Sequence, residues 1–255
     1  MKDLKTELIR NIALGAHGGA GKTSLAESMV FSMGEISRIG SVENGNTVSD
    51  YNEDEIERQI SINTSLLHGE WESHKINIID TPGYSDFFGE VVGAFRAVDG
   101  VLVVVSANSG AEVGTEMVWE EAEKRKLARI VAINKIDKEN SNFDTVVQSL
   151  VDTFGHKVVL AQFPVNPGPG FTDVVDLIKM KLLKFAKDKS GKYTEEAIPD
   201  NLQDKANELR MKLIEAVAES DDSLMEKYFE AGDLTEDEFR QGLKNAILAD
   251  EVYPI

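Results

Sequence analysis

Short apolar runs alternate with amphipathic stretches through the first 163 residues. The five residues at 101–105 are all apolar and four of them are valine, which is typical of a buried strand. Apolar runs predict strands at 9–16, 75–80, 101–105, 129–134 and 158–163. Amphipathic periodicity predicts helices at 22–31, 87–98, 113–126 and 143–154. The alternation predicts an α/β fold in which helices cover both faces of a mostly parallel sheet.

Two parts of the chain depart from this alternation. Residues 37–65 are polar and weakly periodic, so we expect a long, mobile surface segment there. Pro and Gly residues cluster at 164–170 and predict a boundary, and residues 251–255 predict the start of a strand. Between them, a capping box at Thr235 and Glu238 predicts the start of one helix. An apolar face predicts another helix through Leu202, Ala206, Leu209, Leu213 and Val217.

Composition and charge narrow the possible functions. The chain has 255 residues, of which 42% are hydrophobic and 28% charged. It has no apolar run of the ~20 residues that span a bilayer, and no secretory signal is evident. The formal net charge of −18, without clustered Lys and Arg, argues against direct binding of duplex DNA. The absence of cysteine excludes disulfides and thiolate metal sites and fits a cytoplasmic protein.

The first chemical motif is the run AHGGAGKT at 16–23, between a predicted strand and a predicted helix. It matches the phosphate-binding loop of P-loop NTPases, with Ala in the first Gly position. Small residues let successive backbone N–H groups point at phosphate oxygens, and the helix adds the positive end of its dipole. Lys22 is expected to reach the β- and γ-phosphates, and Thr23 to bind Mg²⁺. The predicted nucleotide contacts are His17, Gly18, Gly19, Ala20, Gly21, Lys22, Thr23 and Ser24.

The second motif is Asp80-Thr81-Pro82-Gly83, directly after the strand predicted at 75–80. The Asp80 carboxylate at the strand end can hold Mg²⁺, most simply through water. The Gly83 backbone N–H can contact a γ-phosphate and so sense its presence. Alone, such a short pattern is usually a turn, but its position one strand after the phosphate loop favours a nucleotide site.

The third motif is Asn134-Lys135-Ile136-Asp137, at the end of the strand predicted at 129–134. Asp137 can accept hydrogen bonds from the guanine N1 and N2 groups, a donor pair that adenine lacks. Asn134 is expected to brace the loop and Lys135 to lie along the base. Any of the three motifs alone could be an ordinary turn or charged loop. Their order, each at a strand end, predicts a guanine nucleotide site.

With these motifs, the chain resembles the N-terminal part of elongation factor G and so the translational GTPases. Arg58-Gln59-Ile60-Ser61-Ile62 is similar to the family's switch segment RGITI, with Ser61 in place of the Mg²⁺-binding Thr. The resemblance covers essentially the whole chain and implies a GTPase core at 1–163. It implies an inserted α/β subdomain at 164–250 and the start of a returning core strand at 251–255. The metal ligands it implies are Thr23, Ser61 and Asp80.

Three departures from the family pattern stand out. Tyr84 replaces the histidine that orients the attacking water, and Gly18 and Gly19 replace an apolar residue and an Asp. Gly18 and Tyr84 are interpreted as a linked pair, a small residue opposite a large one. These features resemble the divergent elongation-factor-G-like paralogues. The family's guanine-contacting Ser-Ala loop does not follow, so we expect the chain to be a fragment of a longer protein.

The resemblance implies a ribosome-associated GTPase that hydrolyses GTP to GDP and phosphate, with GTP or GDP and Mg²⁺ as cofactors. Lys22, Gly83 and Tyr84 are the catalytic candidates. One alternative is a GTP-dependent binding switch with little hydrolysis, because Tyr84 replaces the usual histidine. Another is a scaffold whose nucleotide is incidental. The helices after Leu202 could dock on ribosomal stalk proteins, or they could be a solvated acidic face.

Overall fold

The computed structural model describes residues 5–187, 190–232 and 234–255. The chain divides into two compact units. The first contains the described residues up to Ser106 together with Ala111–Ala128, and the second contains Ala107–Gly110 together with Arg129–Ile255. The sequence-based division of the chain between residues 163 and 164 remains a prediction.

The sheet of the first unit is mostly parallel, as predicted. Strand β1 pairs in parallel with β3 on one side and with β4 on the other, and β2 pairs antiparallel with β3 at the edge. The register sets Leu14 opposite Asp80, so the carboxyl ends of β1 and β3 lie side by side. The loops that follow these two strands therefore begin next to each other. The strands are β1 Ile9–Gly15, β2 Ser65–Trp71, β3 His74–Asp80 and β4 Gly100–Ser106.

Helices lie on both faces of this sheet. Leu14 packs in a buried cluster with Ala26 and Val30 of the first helix. The next residue, Gly15, faces the other way, and a Cβ there would lie 2.5 Å from Val118 of the fourth helix. This confirms the prediction of a two-sided layer arrangement. The helices are α1 Lys22–Ser32, α2 Glu53–Arg58, α3 Phe88–Ala94 and α4 Val113–Lys124.

The segment at 37–65, predicted to be long, mobile and on the surface, contains regular elements that its weak periodicity does not indicate; its mobility remains a prediction. The segment contains a 3₁₀ turn at Val42–Asn44, helix α2 and the first residue of β2. Its polar side chains are partly internal: Ser49, Asp50 and Glu55 are buried. The segment supplies partners for part of this polar surface: the Glu55 carboxylate accepts from the N–H groups of Ile62 and Asn63, both at 2.9 Å, and the Ser65 hydroxyl donates to the Ser49 carbonyl at 2.6 Å.

The second unit contains an antiparallel sheet with the order β10-β9-β8-β7 and a short parallel pair formed by β6 and β11. The predicted strand at 158–163 is wrong, because the chain leaves one sheet after Val159 and enters the other at Gln162. The predicted strand at 251–255 is confirmed as β11. The strands are β5 Ala128–Asn134, β6 Val158–Val159, β7 Gln162–Val165, β8 Asp173–Asp176, β9 Lys181–Phe185, β10 Tyr193–Glu196 and β11 Tyr253–Pro254.

Helices complete the second unit, and their apolar faces form its core. Thr235 is the N-cap of the last helix and makes the predicted capping box with Glu238. The predicted apolar face at 202–217 is confirmed, with Ala206, Leu213 and Val217 fully buried. The helices are α5 Phe143–Phe154, α6 Asp200–Glu219, α7 Asp222–Ala231 and α8 Glu236–Leu248. Among the described residues, none of the helices is both long and apolar enough to cross a bilayer.

Gly242 lies where α8 packs against Val217 of α6 and Leu224 of α7. A Cβ at this position would lie 2.6 Å from Leu224 Cδ1 and 2.8 Å from Val217 Cγ1. We expect Gly242→Val to lower the free energy of unfolding by about 3 kcal/mol, because overpacking a filled core forces neighbouring helices apart. Denaturant unfolding followed by circular dichroism measures the change. Lys244→Val, at an exposed position of the same helix, is the control for helix propensity; equal losses in both variants would contradict the packing argument.

Candidate functional site

The loop at 16–21 joins β1 to α1 in a conformation that requires glycine. Gly19 and Gly21 have φ values of 79° and 95°, in the left-handed region. Gly21 is the N-cap residue of α1, so the helix begins at Lys22 and its free N–H groups lie at the end of the loop. Such a helix start is a ready anion site. The predicted phosphate-contacting residues at 17–24 are all in this loop and the first turn of α1.

The Lys22 ammonium lies inside this loop. The residue is 5% exposed, and its Nζ lies 3.5 Å from the carbonyl oxygen of Ala16. Burial lowers the pKa of Lys22 to about 8, and the carboxylates of Asp80 and Asp50 offset part of that shift. The two carboxylates therefore do not fully offset the burial of the ammonium, and a phosphate group beside it would favour its charged form.

The predicted metal ligands come together beside Lys22. The Thr23 and Ser61 hydroxyl oxygens are 3.0 Å apart. Asp80 is 2% exposed, and within the described parts of the chain no donor has hydrogen-bond geometry to either of its carboxylate oxygens. Burial raises the pKa of Asp80 to about 6, although Lys22 and the nearby Thr23 and Ser49 hydroxyls act in the opposite direction.

Asp50 is a fourth member of this group, and the sequence analysis missed it. It is buried, and within the described residues its Oδ2 lacks a hydrogen-bond partner. Burial raises the pKa of Asp50, while the neighbouring Ser61 hydroxyl lowers it. Asp50 lies in the polar segment at 37–65 and belongs to none of the three motifs. A buried carboxylate can be recognised there only once the fold shows that the segment packs against Lys22.

The donor set fits Mg²⁺. Two buried carboxylates with unsatisfied oxygens, those of Asp50 and Asp80, lie beside the Thr23 and Ser61 hydroxyls. All four supply hard oxygen atoms, and Mg²⁺ in proteins commonly takes one or two such groups and completes its shell with water and phosphate oxygens. A cation would also relieve the burial of the two carboxylates.

Gly83 and Tyr84 pack directly on the phosphate loop. A Cβ at Gly83 would lie 2.5 Å from Lys22 Nζ and 2.8 Å from Gly18 Cα, so this approach requires glycine. A Cβ at Gly18 would lie 3.1–3.2 Å from the ring carbons of Tyr84. The contact confirms the predicted pairing of Gly18 with Tyr84. The Tyr84 side chain is 45% exposed, so it covers the loop and is also open to solvent.

His17 connects the phosphate loop to α4. Its Nδ1 accepts a hydrogen bond from the Gly114 N–H at 3.2 Å, and its Nε2 lies 3.7 Å from Glu112 Oε1. Gly114 leaves the necessary space, since a Cβ there would lie 2.7 Å from His17 Nδ1. The imidazole is therefore occupied in holding the loop against α4, and its backbone is the part of the residue available to a phosphate.

The guanine motif lies in the second unit, in the turn after β5. Lys135 has a φ of 63°, in the left-handed region. The carbonyl of Asn134 accepts from the Ala107 N–H at 2.8 Å, and the carbonyl of Ile136 accepts from the Ser141 hydroxyl at 2.9 Å. These bonds fix the backbone of the turn. The Asp137 carboxylate is exposed at its tip, with the ammonium of Lys138 3.9 Å away.

A glycine-rich turn between a parallel strand and a helix, with buried oxygen ligands beside it, defines a P-loop nucleotide-binding protein. The family model of the elongation factor Tu GTP binding domain matches residues 7–239. The chain therefore belongs to this family, and it is a GTP-binding domain of the translation-factor type. The predicted membership of the translational GTPases is confirmed.

A solved structure agrees with this assignment. The crystal structure of ttk003000868 from Thermus thermophilus matches 97% of this chain with a TM-score of 0.90 and 31% sequence identity. The chain spans 37% of the length of that protein. The α/β fold with a mostly parallel sheet and an additional antiparallel sheet is thereby confirmed.

Nucleotide binding should change the protonation of Lys22. Its pKa of about 8 in the free protein rises when a phosphate lies beside it, so binding takes up a proton at any pH between the two values. We expect an uptake of about half a proton per GDP at pH 8, rising toward one at pH 9. Calorimetric titration in buffers with different ionisation enthalpies measures it. Lys22→Arg, which keeps its charge, should bind without uptake; an uptake that persists in this variant would contradict the assignment.

Proposed function

We propose that this domain binds GTP with Mg²⁺ and hydrolyses it to GDP and phosphate. The observation that carries the proposal is the buried group of Lys22, Asp50 and Asp80, whose charges are incompletely compensated next to a phosphate-binding loop. A nucleotide phosphate would supply an anion for the Lys22 ammonium, and its metal would supply a cation for the two carboxylates.

Each residue of the phosphate site has a defined role in this proposal. Lys22 contacts the β- and γ-phosphates, and the Gly83 N–H contacts the γ-phosphate. Thr23, Ser61 and Asp80 would hold the metal. When bound, Mg²⁺ would neutralise charge that develops on the phosphate oxygens. The chain contributes mainly orientation, because phosphoryl transfer depends on positioning and electrostatics.

The base is proposed to be recognised by Asn134, Lys135 and Asp137. Asp137 is exposed, so its carboxylate is free to accept from guanine N1 and N2 without first breaking a buried contact. The left-handed backbone at Lys135 turns the chain sharply between the strand and the carboxylate. Adenine would leave the carboxylate without its donors, which is the physical basis for selecting guanine.

A GTP-dependent binding switch is the second candidate, and the position of Tyr84 favours it. The ring lies against Gly18 and is half-exposed. This placement does not direct its hydroxyl toward a water beside the γ-phosphate. In this reading the domain binds GTP, residues 37–65 rearrange with the nucleotide state, and hydrolysis is slow.

The wider role is proposed from the family. We propose that the domain acts on the ribosome within a longer protein in the cytoplasm, and that α6–α8 contact stalk proteins of the large subunit. The exposed Phe229 and Met211 on these helices are consistent with a docking surface. This role extends beyond the domain itself, because the chain spans 37% of its structural relative.

The proposed base contact can be tested at Asp137. We expect wild-type protein to bind GTP at least ~100-fold more tightly than ATP, and Asp137→Asn to lose most of that preference, because an amide cannot accept from both guanine donors. Competition binding with a fluorescent guanine nucleotide measures both constants. Asp144→Asn, an exposed acid of the second unit, is the control. If wild-type protein binds ATP as well as GTP, the guanine assignment fails.

Hydrolysis can be tested at Tyr84. If its hydroxyl orients the attacking water, Tyr84→Phe should lower single-turnover hydrolysis ~10-fold or more while GTP affinity stays constant. Rates are measured with and without ribosomes. In the switch reading, the wild-type rate is slow in both conditions, Tyr84→Phe changes nothing, and Tyr84→His raises turnover. The two sets of rates therefore separate the enzyme from the switch.

A further inference from the structure

Glu55 is a buried carboxylate that none of the three sequence motifs includes. The residue is 1% exposed and lies in the middle of the short helix α2. Its Oε1 accepts hydrogen bonds from the backbone N–H groups of Ile62 and Asn63, both at 2.9 Å. Its Oε2 accepts from the Asn52 side-chain amide at 2.8 Å and from the Asn52 backbone at 3.4 Å.

These four bonds explain how a charge can be buried at this place. Burial alone would raise the pKa of Glu55, but the bonds from the backbone of Asn63 and Ile62 and from Asn52 outweigh it, so the pKa lies below its usual value. The carboxylate is therefore ionised and fully engaged. The helix ends at Arg58, and its C-cap residue Gln59, with a φ of 56°, turns the chain back toward Glu55.

The bonds from Glu55 determine where Ser61 lies. Ser61 is next to Ile62 in sequence, so fixing the N–H groups of Ile62 and Asn63 fixes the backbone that carries the Ser61 hydroxyl. That hydroxyl lies 3.0 Å from Thr23 Oγ1. Thr23 is held by helix α1, whereas Ser61 lies in an irregular stretch between α2 and β2. The stretch that carries Ser61 is held by the Ile60 N–H, which donates to the Glu55 carbonyl at 3.2 Å, and by the two bonds to the Glu55 carboxylate.

We propose that Glu55 is a positioning residue that holds the Ser61 hydroxyl ready to coordinate the Mg²⁺ of the bound nucleotide. The proposal rests on the proposed function, because it requires Mg²⁺ at Thr23 and Ser61. Mg²⁺ demands near-ideal octahedral geometry, so a ligand on a loose backbone is a poor one. Groups that orient metal ligands commonly change metal affinity when they are altered, although they do not touch the metal.

The test uses Glu55→Gln in the full chain. Both oxygens of Glu55 accept hydrogen bonds, so an amide in either orientation must place its NH₂ group against existing donors. The measurement is the binding of a non-hydrolysable GTP analogue across a series of Mg²⁺ concentrations, together with its affinity in EDTA. We expect the Mg²⁺ concentration at half-saturation to rise about tenfold, with the affinity in EDTA unchanged.

Matched variants separate positioning from general destabilisation. Glu57→Gln removes the same charge from an exposed position of the same helix and should leave the Mg²⁺ midpoint unchanged. Ser61→Ala should raise the midpoint, and adding Glu55→Gln to it should give no further rise, because both changes remove the same ligand. Equal shifts in the Glu55 and Glu57 variants, an additive double variant, or an affinity loss that is as large in EDTA would overturn the proposal.

Two further measurements keep the outcomes distinct. If Glu55→Gln does not fold, amide hydrogen exchange of the unaltered protein decides: the Ile62 and Asn63 N–H groups should be protected, and exchange as fast as in an unstructured peptide would overturn the proposal. If the unaltered protein binds the analogue without any response to Mg²⁺, the proposed function fails instead. A normal Mg²⁺ response in unaltered protein with no shift in Glu55→Gln refutes the positioning role alone.

Discussion

The candidate site of the first unit depends on charged groups that are buried together and do not fully compensate one another. Water is excluded around Lys22, Asp80 and Asp50, and exclusion of water disfavours every charged form. The attraction between opposite charges offsets part of this cost, yet the pKa of Lys22 stays low and those of both acids stay high. A phosphate and a cation beside these groups would offset the remaining cost of burying their charges.

The parallel sheet makes this arrangement possible. Because β1 and β3 are neighbours and Leu14 is in register with Asp80, the phosphate loop and the Asp80 loop start at adjacent points. The loops can then approach within van der Waals distance, since Gly83 faces Gly18 with no side chain between them. The ligand groups from 49–61 are added from outside the sheet by a segment whose internal hydrogen bonds replace regular pairing.

The sequence predicts those strands and helices whose buried residues are apolar, because their burial then appears as an apolar run or a helical period. Strands β1, β3 and β4 and helix α5 are found where the apolar pattern places them. Segment 37–65 is misjudged because its buried residues are polar, and a hydropathy pattern carries no sign of a carboxylate such as Glu55 that is satisfied by backbone N–H groups. Asp50 is missed for the same reason, because it is a polar residue that is buried. The strand at 158–163 is wrong because a continuous apolar run gives no sign of where the chain changes sheets.

The contact between Gly18 and Tyr84 links the sizes of the side chains that these two positions can hold. The ring would make a tight contact with any side chain at position 18, since a Cβ there would lie 3.1–3.2 Å from its carbons, whereas nothing about Gly18 prevents position 84 from becoming smaller. A side chain at position 18 therefore requires the half-exposed Tyr84 ring to shift by a few tenths of an ångström, whereas a smaller residue at position 84 would leave room for it. The two positions are therefore sterically coupled, because a change in the size of either side chain alters the space open to the other directly over the phosphate loop.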